Sequence, residues 1–209
     1  MTTCTIFAGG EIRDTGFIDR SAVLESDLVI CADSGYRYAR EIGVKPHIVL
    51  GDFDSCTADI PEDIEVHRCP PEKDDTDTML AVKTAIERGC GSIRLYGALG
   101  ARFDHAFANI QTLIYAHRNG CRMVIADEEN EMTVQGEGTE SYPLRRNWYF
   151  SLFALTETAV VGSLSGVKYP LEDHSLSMGF PLGVSNEITG ESAVLRIDSG
   201  LVLVVRSRM

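Results

Sequence analysis

Acidic residues at the ends of short apolar segments are the clearest chemical feature of this sequence. Asp33 comes directly after residues 28–32, and Asp52 and Asp54 come shortly after residues 48–50. A carboxylate at the end of a buried strand needs a cationic partner, because burial of an unpaired charge is unfavourable. Carboxylates without neighbouring clusters of His or Cys favour a hard cation such as Mg²⁺. The pattern therefore predicts a Mg²⁺ site.

Glycines and basic residues accompany these acids in a way that suits phosphate groups. A Gly-Gly pair at 9–10 follows one apolar segment, and the turn 97–100 with Arg102 follows another. Lys73 opens the acidic motif 73–77. Glycine turns and helix N-termini bring N–H groups close to an anion, and an arginine can clamp a phosphate with two hydrogen bonds. Together with Mg²⁺, these residues predict a bound nucleoside triphosphate and phosphoryl or pyrophosphoryl transfer.

An alternation of short strand-like segments and helical patterns predicts the sheet that positions these residues. Apolar segments typical of strands covered on both faces occupy 5–8, 28–32, 48–50, 93–96 and 123–126, with a weaker candidate at 65–69. Helical spacing predicts helices over 78–88 and 103–117, and a further helix after Gly35. In an open α/β sheet the carboxyl ends of the strands share one edge. We therefore expect the acidic, glycine-rich and basic loops to converge there.

The helix predicted over 103–117 has the clearest pattern. Its apolar positions recur at intervals of four and three residues: Phe103, Phe107, Ile110, Ile114 and His117. This spacing places them on one side of a helix, and the Asn-Gly pair at 119–120 ends the pattern.

After residue 127 the character of the sequence changes. Strand-like segments separated by Gly, Pro, Ser and Asn lie at 132–134, 148–155, 159–161, 193–197 and 201–205. Residues 198–200, between the last two segments, are typical of a hairpin loop. We therefore predict two domains, a Rossmann-like parallel α/β domain at 1–127 that binds the nucleotide and a small antiparallel β-sandwich at 128–209.

The composition excludes several classes of partner. The chain of 209 residues has 19 Lys+Arg against 31 Asp+Glu, and this net charge of −12 disfavours nucleic acid. No apolar segment approaches the ~20 residues that span a bilayer, so we expect no membrane partner and a cytoplasmic location. The six cysteines form no C-x-x-C pair, which indicates small core residues rather than a zinc site or a disulfide framework.

Most of these motifs also have a purely structural explanation. The acids of the motif 73–77 equally suit the start of a helix, and residues 33–35 equally suit an ordinary turn. His105 is as consistent with local hydrogen bonds as with a ligand contact. Two other functions also stay open. One is a nucleotide-sugar transferase that uses Asp52 and Asp54 as its metal pair, and the other is a Mg·ATP sensor without turnover.

Five motifs, taken in order, resemble the motif series of the thiamine pyrophosphokinase family. They are CADSG (31–35), GDFDS (51–55), KDDTD (73–77), GALGARFDH (97–105) and GVSNE (183–187). The resemblance covers nearly the whole chain. It implies Mg²⁺-dependent transfer of the pyrophosphoryl group of ATP to the hydroxyl of thiamine, with release of AMP. It further implies a homodimer in which the β-sandwich serves thiamine binding and dimerisation.

The resemblance also implies roles for individual residues. The Mg²⁺ ligands would be Asp33, Asp52, Asp54 and Asp77. ATP would be bound by Asp33, Gly35, Lys73, Gly97, Gly100, Arg102 and His105. The catalytic residues would be Asp54, Asp77 and Arg102. Thiamine would be bound by Asp77, Tyr169, Ser185 and Asn186, with the Tyr169 ring packing on it across the dimer interface. One departure is Ala101, which stands where the family commonly has glycine.

Overall fold

The computed structural model describes residues 1–51, 60–68, 74–100 and 102–209. Asp52, Asp54 and Lys73, three of the predicted site residues, lie outside these ranges, as does Ala101. The chain divides into two compact units, Met1–Glu128 and Glu129–Met209. Within the described ranges, no helix combines the length and the apolar character needed to cross a membrane.

The first unit is built on a parallel sheet of six strands. In chain order the strands are β1 (Thr2–Phe7), β2 (Leu28–Ala32), β3 (Ile48–Gly51), β4 (Glu65–Arg68), β5 (Cys90–Tyr96) and β6 (Arg122–Ala126). Their spatial order is β6-β5-β1-β2-β3-β4, and every neighbouring pair is parallel. The predicted Rossmann-like sheet is therefore confirmed, and the weaker candidate segment forms the edge strand β4.

Four α-helices accompany this sheet in the described part of the first unit. They are α1 (Arg20–Leu24), α2 (Tyr36–Glu41), α3 (Asp77–Glu87) and α4 (Phe103–Arg118). The Thr76 hydroxyl caps α3 by accepting a hydrogen bond from Met79 N at 3.1 Å. The helices predicted at 78–88, at 103–117 and after Gly35 are confirmed. The short helix α1 was not predicted, because five residues are too few to show a helical period.

The apolar side of α4 differs from its buried side. Phe103 and Phe107 are 80% and 52% exposed, whereas the buried residues of the helix are Asn109, Thr112, Leu113 and Ala116. The spacing predicted a helix correctly but did not identify its buried side, because small and polar side chains approach the sheet there.

The expectation that the five apolar segments are covered on both faces is wrong at Arg94 on β5, which is exposed. Outside those segments, Arg122 on β6 is exposed and β4 has no buried residue. Arginine on a strand is compatible with burial of its neighbours, since successive side chains point to opposite faces.

The second unit is a sandwich of two antiparallel sheets, as predicted. Its strands are β7 (Asn130–Gln135), β8 (Gly138–Pro143), β9 (Trp148–Ala154), β10 (Thr158–Ser165), β11 (Leu171–Ser177), β12 (Gly183–Glu187), β13 (Ser192–Ser199) and β14 (Val202–Arg208). One sheet has the order β12-β9-β14-β7 and the other β11-β10-β13-β8. Buried side chains of both sheets, among them Phe150, Leu152, Val161 and Leu195, form a single core.

The hairpin predicted around residues 198–200 is not a hairpin. β13 pairs with β10 and β8, whereas β14 pairs with β7 and β9, so the turn carries the chain from one sheet to the other. Local sequence predicts the turn itself, since Gly200 has a φ of +83°. The strands on either side find their partners through the sandwich core. β8, β11 and β12 were not predicted as strands.

Candidate active site

A cleft of about 490 Å³ opens at the carboxyl ends of β1, β2 and β5. It brings together six of the predicted residues: Asp33, Asp77, Gly97, Gly100, Arg102 and His105. The glycines of the pair 9–10 also line it. Gly35 does not. A Cβ at Gly35 would lie 2.1 Å from the Phe7 carbonyl oxygen, so this glycine permits close backbone packing beneath the cleft.

The turns after β1 and β5 pack backbone against backbone along one wall of the cleft. Gly10 N donates a hydrogen bond to the Gly97 carbonyl at 2.8 Å. Gly97 has a φ of +67°, and a Cβ there would lie 2.5 Å from the Ala8 carbonyl oxygen. Both the conformation and the close approach require glycine. The glycines thus shape a wall in which main chain, rather than side chains, meets the ligand.

Asp33 adopts a left-handed conformation directly after β2, with a φ of +52°. Glycines flank it. A Cβ on Gly9 would lie 3.0 Å from Asp33 Oδ2, and a Cβ on Gly51 would lie 3.1 Å from Asp33 Cα. Non-glycine residues held at positive φ concentrate at functional sites, because the surroundings must maintain the strain. This geometry is consistent with a carboxylate held in place for a ligand.

Asp77 begins α3, immediately after the capping residue Thr76. Its neighbour Asp75 also lines the cleft and accepts two hydrogen bonds from Lys83 Nζ, at 2.8 and 2.6 Å. The Asp75 carboxylate raises the pKa of Lys83. In the described part of the motif 73–77, the side chain that caps the helix is that of Thr76 and not that of an acid. The motif's two acids at 75 and 77 border the cleft.

Arg102 precedes α4 and is exposed at the cleft. Its Nη2 donates to Asp104 Oδ2 at 2.7 Å and its Nε to Oδ1 at 3.3 Å. His105 N also donates to Asp104 Oδ1, at 2.9 Å. The guanidinium, followed by this main-chain bond, lowers the pKa of the Asp104 carboxyl. Asp104 binds the Nε and Nη2 edge of the Arg102 guanidinium. The other N–H groups of the guanidinium are available to an anion.

The chemistry of the cleft fits a hard cation. Asp33 and Asp77 supply carboxylate oxygens to it, which are the donors that Mg²⁺ prefers. In the described ranges, no three His, Cys, Asp or Glu side chains form a cluster suited to a metal. The other two predicted ligands, Asp52 and Asp54, lie outside those ranges, and Gly51, the last described residue before them, lies against Asp33.

In the second unit, the predicted residues Tyr169, Ser185 and Asn186 lie close together. Asn186 is only 8% exposed, and its side-chain amide bonds the main chain of Tyr169 in both directions. Ser185 has a φ of +60° and its N–H donates to Ser151 Oγ at 2.9 Å. Tyr169 is 60% exposed and borders an apolar pocket of about 100 Å³. The geometry presents an aromatic ring and holds it through Asn186.

Some residues of the cleft were not identified from the sequence. They are Glu11, Thr76, Thr78 and Asn109. Asn109 is 6% exposed and its Nδ2 donates to the Ala98 carbonyl at 2.7 Å. The available signal was a polar amide one turn after His105 on α4, which a search for apolar spacing passes over.

Comparison with known proteins places this arrangement among described relatives. Residues 20–125 match the family model "Thiamin pyrophosphokinase, catalytic domain", and residues 141–202 match "Thiamin pyrophosphokinase, vitamin B1 binding domain". The sequence is 31% identical to thiamine pyrophosphokinase of Bacillus subtilis over 99% of each chain.

Solved structures give the same result. The fold is similar to the crystal structure of thiamine pyrophosphokinase from Bacillus subtilis, with a TM-score of 0.88, 27% identity and 99% of each chain covered. It is also similar to thiamin pyrophosphokinase from Geobacillus thermodenitrificans, with a TM-score of 0.85 and 32% identity, over 99% of this chain and 98% of that one.

Proposed function

The chain belongs to the thiamin pyrophosphokinase family, and we propose that it transfers the pyrophosphoryl group of ATP to the hydroxyl of thiamine. The products are thiamine diphosphate and AMP. The observation that carries this proposal is the cleft of the first unit, which combines the carboxylates of Asp33 and Asp77 with a main-chain glycine wall and an exposed arginine. These are the groups that a metal-bound triphosphate requires.

The polyphosphate of ATP lies along the glycine wall in this proposal. The turn 97–100 leads into Arg102 and the N-terminus of α4, where the helix dipole favours an anion. Arg102, held along one edge by Asp104, directs its other N–H groups at the transferred phosphates. Gly35 and Lys73 stay predicted as ATP-binding residues.

Asp33, Asp52, Asp54 and Asp77 hold Mg²⁺ in this proposal, directly or through water. When bound, Mg²⁺ neutralises charge on the transferred group. The described acids support this metal site, because Asp33 and Asp77 both border the cleft and Asp33 is held at a positive φ.

The reaction is an in-line displacement at the β-phosphorus of ATP. The thiamine hydroxyl oxygen forms the new bond to this phosphorus, and the bond from phosphorus to the oxygen shared with the α-phosphate breaks. AMP leaves with that electron pair. Because the transition state of phosphoryl transfer is loose, the hydroxyl proton leaves late, and Asp77 or Asp54 accepts it. Arg102 stabilises the charge on the transferred group.

Thiamine is bound with the help of the second unit, in which Tyr169, Ser185 and Asn186 lie together. The exposed Tyr169 ring offers an aromatic face to the thiazolium cation or the pyrimidine. We further propose a homodimer, in which this ring serves the cleft of the partner. Each unit has exposed apolar side chains available for association, Phe103 and Phe107 in the first and Tyr169, Met178 and Phe180 in the second. A cytoplasmic location stays a prediction.

One assay tests the function. The protein is incubated with Mg·ATP and thiamine, and nucleotides and thiamine esters are separated by chromatography. We expect equimolar AMP and thiamine diphosphate. ADP with thiamine monophosphate would indicate a simple kinase, and intact ATP would indicate a sensor. Turnover of UDP- or GDP-sugars instead of ATP would indicate a nucleotide-sugar transferase. Each of these results would contradict the proposal.

A further inference from the structure

Asn109 occupies an unusual position for a polar side chain. It lies in the second turn of α4, is 94% buried and borders the cleft. Its Nδ2 donates to the Ala98 carbonyl oxygen at 2.7 Å. Since a carbonyl oxygen can only accept a hydrogen bond, the NH₂ group must face Ala98, and the orientation of the amide is settled. The Oδ1 atom therefore points away from Ala98.

The Oδ1 atom of Asn109 is open to the cleft. Among the residues that the structure describes, the side chain has a single hydrogen-bond partner, Ala98. In the same ranges, no fully buried side-chain oxygen or nitrogen lacks a partner. An unpartnered Oδ1 therefore cannot be fully buried, and the open space next to Asn109 is the cleft. Asn109 thus presents a fixed carbonyl acceptor to whatever occupies the cleft.

We infer that Asn109 is a specificity-determining residue that accepts a hydrogen bond from the nucleoside part of ATP. The inference rests on the proposed function, because it requires ATP in this cleft. Phosphate oxygens near pH 8 only accept hydrogen bonds, so they do not satisfy a carbonyl. The donors of ATP are the ribose hydroxyls and the 6-amino group of adenine. The Asn109 Oδ1 atom accepts a hydrogen bond from one of these donors.

A fixed, largely buried acceptor discriminates strongly against ligands that lack the donor. When such a nucleotide fills the cleft without the matching group, the Asn109 oxygen lacks the hydrogen bond that ATP supplies. We therefore expect the wild-type protein to bind one of three ATP analogues about threefold to tenfold more weakly than ATP. The analogues are 2′-deoxy-ATP, 3′-deoxy-ATP and ITP, which lack one hydroxyl, the other hydroxyl and the 6-amino group, respectively.

The test is the dissociation constant of each nucleotide, measured by calorimetry at pH 8 with Mg²⁺ and without thiamine. Wild type is compared with Asn109→Leu, which removes the acceptor at similar volume. Thr112→Val is the matched control. Thr112 is also buried on the same side of α4, but its hydroxyl donates to Ala108 O within the helix and it does not line the cleft.

The inference predicts that Asn109→Leu abolishes the discrimination. ATP then binds as weakly as the discriminated analogue, whereas Thr112→Val keeps the wild-type ratio. Equal weakening of all four nucleotides in Asn109→Leu would overturn the inference, because Asn109 would then only support the turn at Ala98. Wild-type protein that binds all four nucleotides equally would overturn it as well.

A second variant keeps the inference testable if Asn109→Leu does not fold. In Asn109→Asp, the carboxylate repels the Ala98 carbonyl and the phosphates, whereas the protonated acid donates its O–H to Ala98 and keeps a carbonyl towards the cleft. We expect this variant to regain the wild-type discrimination as the pH is lowered from 8 to about 5, relative to wild type at each pH. Discrimination that is equally absent at both pH values would contradict the inference.

Failure of the inference is distinguishable from failure of the proposed function. The product assay with ATP and thiamine decides the function. If AMP and thiamine diphosphate form but the binding ratios do not depend on Asn109, only the inference fails. If no nucleotide binds to wild type, both fail.

Discussion

The side-chain amide of Asn186 holds the main chain of Tyr169 at two points. Asn186 Nδ2 donates to the Tyr169 carbonyl at 2.8 Å, and Asn186 Oδ1 accepts from Tyr169 N at 3.0 Å. Oδ1 also accepts from Glu187 N at 2.9 Å. The oxygen of Asn186 is shared by two N–H groups, and the residue is buried. Asn186 therefore acts on a ligand mainly through the Tyr169 ring, which it positions.

We predict that Asn186→Ala raises the KM for thiamine with little change in the KM for ATP. Loss of the two bonds frees the segment that carries Tyr169, and at about 0.5–1.5 kcal/mol per bond it lowers the unfolding free energy by about 1–3 kcal/mol. Steady-state kinetics and urea denaturation measure both effects. Tyr169→Phe is the control and keeps a near-normal thiamine KM, since it retains the aromatic face. A larger rise in the ATP KM than in the thiamine KM would contradict the assignment.

We predict that Arg102→Ala lowers kcat about a hundredfold, because loss of one preorganised donor to a transferred group typically has an effect of that order. Single-turnover measurements of AMP release test it. Arg88→Ala is the matched control. Arg88 also binds one carboxylate at 2.6 Å, that of Glu65, but on the surface away from the cleft, and we expect unchanged kinetics. An Arg102→Ala variant with the kcat of the Arg88→Ala variant would exclude the proposed role.

We predict that Asp77→Asn lowers kcat by about a hundredfold and raises the Mg²⁺ concentration needed for half-maximal rate, because it removes a charged oxygen from the proposed metal site. Titration of the rate with Mg²⁺ at saturating ATP measures both changes. Asp74→Asn is the control, since Asp74 belongs to the same motif but is exposed and does not line the cleft. Near-normal turnover of Asp77→Asn would remove Asp77 from the mechanism.

We predict that Gly97→Ala is clearly more destabilising than Gly120→Ala. Both glycines have similar positive φ angles, +67° and +70°, so each substitution carries a conformational cost of about 1–2 kcal/mol. A Cβ at Gly97 also meets the Ala8 carbonyl at 2.5 Å, whereas nothing lies within 4 Å at Gly120. The difference in unfolding free energy from urea titrations isolates this contact. Equal losses of unfolding free energy in the two variants would contradict the prediction, because the turns after β1 and β5 would then move apart to accommodate the Cβ.

We predict that stability decreases in alkali through the buried thiols. Burial raises the pKa of Cys121 from its ordinary 9.0 to about 11, and burial also raises the pKa of Cys4 and Cys90. Between these two pH values an unfolded chain loses the Cys121 proton and the folded chain keeps it, so the unfolding free energy decreases as pH rises. Urea titrations at several pH values measure this slope, which should be shallower in Cys121→Ala. If the unfolding free energy of wild type and of Cys121→Ala depended identically on pH, the assignment of this effect to the Cys121 thiol would be contradicted.

The local physics of the chain predicted most of the first unit. Strand-like segments alternate with helical spacing, and a parallel sheet follows because such strands need crossover connections. The acids, glycines and Arg102 follow strand ends, so their convergence at one edge follows from topology. Four described cysteines, Cys4, Cys31, Cys90 and Cys121, are buried, as predicted. The motif series also identified the family, since residue types at fixed spacing survive where overall identity is low.

Tertiary contacts decided what local spacing leaves open. Phe103 and Phe107 on the apolar side of α4 are exposed, because the side that carries Asn109 and Ala116 fits against the sheet and the turn at Ala98. The turn after β13 changes sheets, because the partners of β13 and β14 are distant in sequence. Whether an amide such as Asn109 or Asn186 meets a ligand or the main chain depends on which groups are within about 3 Å after folding. The sequence alone determined which chemistry is present, and only packing determined which atoms are left free to perform it.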